Sequence, residues 1–380
     1  MATKAEHIAR DEKEMSGCAI SGIMSEAGHR FSGEDIIRSI GSMKERSSGL
    51  GGGFAAYGIY PQYADEYAFH VMYDHESGRE HAGKCLKELC EIVHRETIPT
   101  RPMEKIRSRP MLHRYFLHLK EHVFEQFYDE TEEDIIVRLV MHINQNVDGA
   151  FVMCSGKNMG VFKGVGYPED IGRFFMLDEY EAWTWLAHGR FPTNTTGWWG
   201  GAHPFGLLDW AVVHNGEISS YGINRRYLEN FGYRCTLHTD TEVIAYLVDL
   251  LMRKHELPLE VMSRVLAPPF WSQIERMDAA EAKLARTLRI VYGGALLNGP
   301  FSIVVGHAGG MFGLNDRTKL RPMVAARKDD RFLISSEEAG IRTVCESPDR
   351  VWHAEGGVPV VGSLKKTEAS GADVEEKAVA

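Results

Sequence analysis

The chain has 380 residues, 44% of them hydrophobic and 25% charged, an ordinary globular composition with room for roughly two or three domains. Its 43 basic and 53 acidic residues leave a formal charge of −10, which speaks against nucleic acid or an anionic membrane as the main partner. No apolar run approaches the length of about 18 residues needed to span a bilayer, so no membrane segment is expected. The six cysteines (Cys18, Cys85, Cys90, Cys154, Cys235 and Cys345) form no CxxC or other common zinc spacing. So few in so long a chain predict reduced thiols in a cytoplasmic protein, not a disulfide scaffold.

Residues 1–17 form a polar leader of mixed charge, without the apolar core of a signal peptide. CAISGIMSE (18–26) predicts a buried strand that opens on a cysteine. GEDIIRSIGSMKER (33–46) has helical spacing, LGGGFAAYGIY (50–60) predicts a strand after glycines, and YAFHVMY (67–73) predicts another strand. Residues 79–97 and 114–145 predict helices, most clearly in EEDIIVRLVMHINQ (132–145). GAFVMCSG and MGVFKGVG (149–166) predict two strands around a glycine-bearing turn. WTWLAHGRF (183–191) and WAVVHNGEI (210–218) predict strands that end in loops. TEVIAYLVDLLMRKHE (241–256) is amphipathic helix, PFSIVVGHAGGMFGLND (300–316) a hairpin, and RFLISSEEAGI (331–341) a strand running into a helix. From about Lys365 the residues are charged and small, and a disordered tail is expected. Strands and helices cluster instead of alternating, which favours stacked α and β layers.

Four segments stand out: Cys18, HGRFPTNT (188–195), AHPF with HNGEI (202–205 and 214–218), and TDTEVI (239–244). Each has a plain reading by itself. A cysteine before an apolar run packs in a core, HNG makes a turn, and TDTE caps a helix. Together and in this order they resemble the class II glutamine amidotransferases, a branch of the N-terminal nucleophile hydrolases. The stretch 188–229 is most similar to the glutaminase domain of glutamate synthase. TDTEVIAYLV (239–248) also resembles the glutaminase half of glucosamine-6-phosphate synthase.

The resemblance implies an α+β fold, a four-layer αββα sandwich of two mostly antiparallel sheets. It places an amidotransferase domain at 18–362, with a helical insertion at about 60–145 and a tail at 363–380. Cys18 would be the nucleophile and its own α-amine the base. An α-amine has a pKa of about 7.7–8.0 and a peptide nitrogen has no such basicity. Cys18 must then be the first residue of the mature chain, so cleavage after Gly17 is expected. Asn215 and Gly216 match the oxyanion hole. Arg190 matches the arginine that grips the α-carboxylate of glutamine, and Asp240 the residue that binds its α-ammonium. Thr193 and His203 match further pocket residues, with His188 and His214 as supporting structure. Where the family has glycine after the nucleophile, this chain has Ala19.

The loop 47–55, SSGLGGGFA, follows Arg46 and would lie near the nucleophile. It lacks the lysine of a phosphate loop. His118 and His122, four apart on an expected helix, read as surface or packing residues and not as metal ligands. The pair Trp198–Trp199 suits a lid or an interface. No cofactor or metal is expected in this chain. The implied activity is hydrolysis of L-glutamine to glutamate and ammonia through a Cys18 thioester. The likeness to glutamate synthase implies a partner synthase subunit bearing FMN and Fe–S clusters, to which the ammonia passes. A non-catalytic glutamine-binding subunit and a stand-alone amide hydrolase of the same fold are the alternatives.

Overall fold

A computed structural model describes residues 17–106, 109–191 and 197–365. The N-terminal third holds β1 (Ala19–Ser25), β2 (Phe31–Ser32), α1 (Glu34–Gly41), β3 (Gly52–Tyr57) and β4 (Tyr67–Tyr73). Then come α2 (Glu76–Leu89), β5 (Cys90–Thr97), β6 (Met111–Leu119), α3 (Glu121–Gln126) and α4 (Glu132–Asn146). The middle adds β7 (Ala150–Lys157), β8 (Met159–Gly164), α5 (Pro168–Phe174), β9 (Glu181–Ala182), β10 (Thr184–Gly189), β11 (Phe205–Leu207) and β12 (Trp210–Gly216). A helical stretch follows with α6 (Tyr221–Glu229), α7 (Asp240–Val248), α8 (Leu259–Leu266), α9 (Trp271–Ile274) and α10 (Ala279–Val291). The last described part has β13 (Phe301–His307), β14 (Gly310–Asn315), β15 (Val324–Lys328), β16 (Arg331–Ser335), α11 (Glu338–Arg342), β17 (Arg350–His353) and β18 (Val360–Ser363).

Among the described residues, β17-β15-β16-β1-β10-β3-β8 form one antiparallel sheet and β11-β12-β13-β14-β18 a second. All seven residues of β1 are buried, as a strand covered on both faces requires. Its two faces have separate partners. Gly22 turns to the second sheet, where an added Cβ would meet Met311 at 2.9 Å and Val304 at 3.4 Å, with Leu186 of the neighbouring β10 at 3.2 Å. Ser21 turns the other way and shares a 2.7 Å hydrogen bond with Ser39 of α1. The sheets thus meet face to face over a core that includes Ile20, Leu186, Val213, Val304 and Met311. Helices α1, α5 and α11 cover the outside of the first sheet, with Ile36, Ile40, Ile171, Phe174 and Ile341 buried there. Helices α7 and α8 cover the second, joining Val243, Leu247 and Leu266 to Val305 and Phe312. This is the expected four-layer αββα sandwich.

The segment 60–145 departs from the helical insertion predicted for it. Residues 90–97 and 111–119 are strands, and β5-β6-β4-β7 form a third antiparallel sheet backed by α2 and α4. Strand β6 is buried on both faces from Arg114 to Leu117, so its sequence shows no two-residue alternation to betray it. β7 and β8 are the two strands predicted around a turn, but they do not pair. Asn158 between them takes φ +48°, and the chain passes from the third sheet into the first. His118 stands in β6 and His122 in α3, so they share no helix face. Residues 1–16 of the expected leader (1–17) and most of the expected tail (from 366) lie outside the described residues.

Candidate active site

Cys18 stands one residue ahead of β1, where Ala19 pairs with Gly189 at the end of β10. The next β10-side residues fold back over it, and the Phe191 N–H donates to its Sγ at 3.4 Å. Asn215 and Gly216 end β12, in the facing sheet. The sandwich therefore brings the nucleophile candidate from one sheet against the oxyanion-hole candidates of the other. Cys18, Asn215 and Gly216 line a common cavity of about 430 Å3 with Phe191, Ile218 and Pro300.

The glycine at 216 is forced by geometry. Its φ is +146°, and a Cβ there would lie 2.0 Å from the Pro300 carbonyl oxygen. Gly216→Ala is expected to push β12 off β13 and misdirect the Gly216 N–H. The expected result is a lower melting temperature and a fall of about 100-fold or more in kcat, read by thermal denaturation and ammonia release. Asn215 is wholly buried, and its Nδ2 donates to Ser336 Oγ at 3.5 Å. The same hydroxyl accepts the Ile20 N–H at 3.1 Å, so Ser336 ties the nucleophile strand to the asparagine.

Arg190 follows β10 and is 5% exposed. The loop 47–51 clamps it: Ser47 Oγ and Ser48 Oγ donate to its carbonyl at 3.3 and 3.2 Å, and its N–H donates to Gly51 O at 2.9 Å. A Cβ on Gly51 would sit 3.0 Å from Arg190 Cδ. The glycine-rich loop thus makes room for the arginine. Asp240 opens α7, whose Thr239 cap accepts the Glu242 N–H at 3.2 Å. Its carboxylate accepts from the Ile218 N–H at 3.2 Å and from the Thr241 hydroxyl at 3.4 Å, and lies 3.5 Å from His214 Nδ1. Burial pushes the Asp240 pKa up, but His214 and these hydrogen bonds outweigh it and hold the carboxyl below its usual range. Neither Arg190 nor Asp240 lies on the wall of the cavity, yet both charges reach Cys18. Burial pushes the Cys18 thiol up, while the Phe191 N–H, Arg190 and Arg321 pull it down and Asp240 adds to the rise. Thr193 lies outside the described residues.

His203 belongs to a buried layer under these groups and not to the cavity wall. Its ring stacks on His188, with centroids 4.1 Å apart, and its Nε2 lies 3.2 Å from Thr241 Oγ1. His188 Nε2 sits 3.0 Å from His214 O, and His214 Nδ1 sits 3.2 Å from Thr241 Oγ1. Burial drives His188 down to about 3 and His203 well below the ordinary imidazole value, as it drives His70 to about 3 in the third sheet. These rings stay neutral when folded, whereas unfolded histidine binds a proton below about pH 6.5. Between about pH 6.5 and 3 the unfolded chain takes up more protons, so acid favours unfolding. Glu242 opposes this from about pH 4.5 to 7, since burial raises it to about 7. The histidines outnumber it, and Asp240 adds to their side. The melting temperature is expected to fall steadily as pH drops below about 6.5.

Sequence reasoning missed several residues here. Lys163 of β8 is 1% exposed, donates to Gly200 O at 3.0 Å and is pushed down to about 7 by burial. Glu242 accepts the N–H groups of Thr236 and Leu237, each at 2.9 Å, and so shapes the loop that leads into Asp240. Ser336 and Arg321 were not singled out either, although the stretch that holds them, 314–341, resembles the later strand pair and helix of the class II amidotransferases. Among the described residues, no group of three or more His, Cys, Asp or Glu side chains could hold a metal, and no helix is long and apolar enough to cross a membrane.

A sequence-family profile described as glutamine amidotransferases class-II matches residues 97–237, which include Arg190, Asn215 and Gly216. The chain carries a class II glutamine amidotransferase domain. A protein of Archaeoglobus fulgidus described only as uncharacterized is 50% identical over 368 residues, covering 96% of this chain and 97% of the relative. A Methanothermobacter thermautotrophicus protein carrying a provisional glutamine amidotransferase name is 25% identical over 342 residues, 87% of this chain and 95% of the relative. Among solved structures, the glutamine phosphoribosylpyrophosphate amidotransferase of B. subtilis is 15% identical, with a TM-score of 0.45 over 91% of this chain. The chain spans only 47% of that amidotransferase's length.

Proposed function

We propose that this class II amidotransferase is a glutaminase subunit that hydrolyses L-glutamine at Cys18 and passes ammonia to a separate synthase subunit. The observation that carries the reading is the single cavity in which Cys18 meets Asn215 and Gly216, with the charges of Arg190 and Asp240 beside it. Arg190 would take the α-carboxylate and Asp240 the α-ammonium of glutamine, with Thr193 completing the pocket and His203 supporting it from the buried layer beneath. The Cys18 sulfur gives its proton to the Cys18 α-amine and bonds to the side-chain amide carbon, Cδ, of glutamine. The oxyanion forms against the Asn215 amide and the Gly216 N–H. The carbon–nitrogen bond then breaks as the amine returns the proton to the departing ammonia. Water attacks the thioester and releases glutamate.

In the full-length chain the Cys18 nitrogen is part of a peptide bond and cannot serve as that base. Processing between Gly17 and Cys18 is therefore part of the proposal. Gly17 has φ +150°, and a Cβ on it would lie 3.1 Å from the Arg46 guanidinium. Gly17→Val is expected to slow processing markedly, visible as retained leader in the intact mass.

The similarity to glutamate synthase supports a partner of that type in the cytoplasm, with FMN and Fe–S clusters on the partner and no cofactor in this chain. Ammonia release from glutamine by protein of defined N-terminus tests the activity. Glutamine should be cleaved and simple amides left untouched. Equal turnover of simple amides would point to a general amide hydrolase, and full activity with Gly17 still attached would overturn the base assignment.

A further inference from the structure

Arg321 stands on the wall of the Cys18 cavity, on the loop between β14 and β15. That loop is held by Asp316, which is 2% exposed. Its carboxylate accepts the N–H groups of Phe301 at 3.3 Å, Thr318 at 2.9 Å and Leu320 at 2.9 Å, and the Thr318 hydroxyl at 2.7 Å. Phe301 follows directly on Pro300, which lines the same cavity. One buried carboxylate thus fixes both the cavity wall and the loop that delivers the arginine. Arg321 Nε is buried without a hydrogen-bond partner, and among the described residues the guanidinium makes no ion pair.

The other cations around Cys18, and Asp240, have assignments. Arg46 donates to the Cys18 carbonyl at 3.3 Å and is matched by Glu337 at 2.7 Å. Arg190, from the end of β10, and Asp240, from α7, form the opposite-sign pair suited to an amino-acid end. Glu217 shares the cavity wall beyond Gly216. Once glutamine is bound, its carboxylate and ammonium match Arg190 and Asp240, and glutamine has no further charge. Arg321 then remains as the uncommitted cation beside the sulfur.

We propose that Arg321 is the cationic partner of the Cys18 thiolate, held in place by Asp316 so that the anion formed when the sulfur gives up its proton is stabilised while Arg190 is occupied by substrate. It gives up no proton, and its effect is electrostatic. The inference rests on the reading of Cys18 as the nucleophile.

The test uses purified chain with its N-terminus defined by intact mass. The rate of Cys18 alkylation by iodoacetamide is followed across pH, with ammonia release from glutamine assayed on the same samples. R321M should slow alkylation about tenfold near neutrality, one pH unit in the midpoint, and lower kcat more than it raises KM. R321K should recover most of the rate. R321Q serves where R321M does not fold. Lys319→Asn removes a charge from the exposed part of the same loop, and should match wild type. Wild-type alkylation in a folded R321M or R321Q, or equal slowing in Lys319→Asn, overturns the proposal. Alkylation that responds to Arg321 in a protein releasing no ammonia leaves this inference standing and removes the glutaminase reading. An active enzyme whose alkylation ignores Arg321 does the reverse.

Discussion

Cys18→Ala is expected to abolish glutamine hydrolysis, with a fall in kcat on the order of 10^4–10^6. No other group among the described residues combines a thiol with this cavity, since Cys90 and Cys154 are buried in the cores and Cys85, Cys235 and Cys345 lie on other elements. Binding should survive. The groups proposed to read the amino-acid end are Arg190 and Asp240, and each is held by backbone contacts that do not involve the sulfur. Calorimetry should show glutamine still bound by the variant within a few-fold of the affinity of a non-hydrolysed analogue for wild type. Retained ammonia release would remove Cys18 from the chemistry. Loss of binding together with activity would show that the substitution collapsed the pocket.

Asn215→Ala is expected to lower kcat about 100–1000-fold while KM changes little, the pattern of a group that binds only the transition state. The asparagine is wholly buried in β12, and truncation also leaves Ser336 without that donor. Some stability should be lost as well, on the order of 1 kcal/mol for one neutral hydrogen bond. The decisive readout is thus the split between kcat and KM in protein shown to be folded. A rise in KM with kcat intact would assign Asn215 to substrate grip and move the oxyanion hole elsewhere.

Much of the site was legible because its parts sit at strand ends. Cys18 opens an apolar run, His188 to Arg190 and Asn215 to Gly216 close others, the buried patterns of all three are plain, and the sandwich brings those ends together. Thr239–Glu242 is a helix start in sequence and in structure. The third sheet was hidden because β6 is buried on both faces and β5 follows α2 without a break. Arg321, Asp316 and Ser336 were hidden for a different reason. They lie more than 100 residues beyond Asn215 in sequence, and only the pairing of β16 with β1 and of β13 with β12 brings Arg321 to the cavity wall and Asp316 and Ser336 behind it. The histidine layer is similar. His188, His203 and His214 come from separate segments, and their stacking follows from burial between the sheets and α7.

Labelling with diazo-oxo-norleucine, a glutamine analogue with an electrophilic carbon, tests the nucleophile most directly. In protein that begins at Cys18, one equivalent should attach to Cys18 and abolish ammonia release, and excess glutamine should protect. Label on another residue, or an active processed protein that takes up none, would contradict a Cys18 nucleophile.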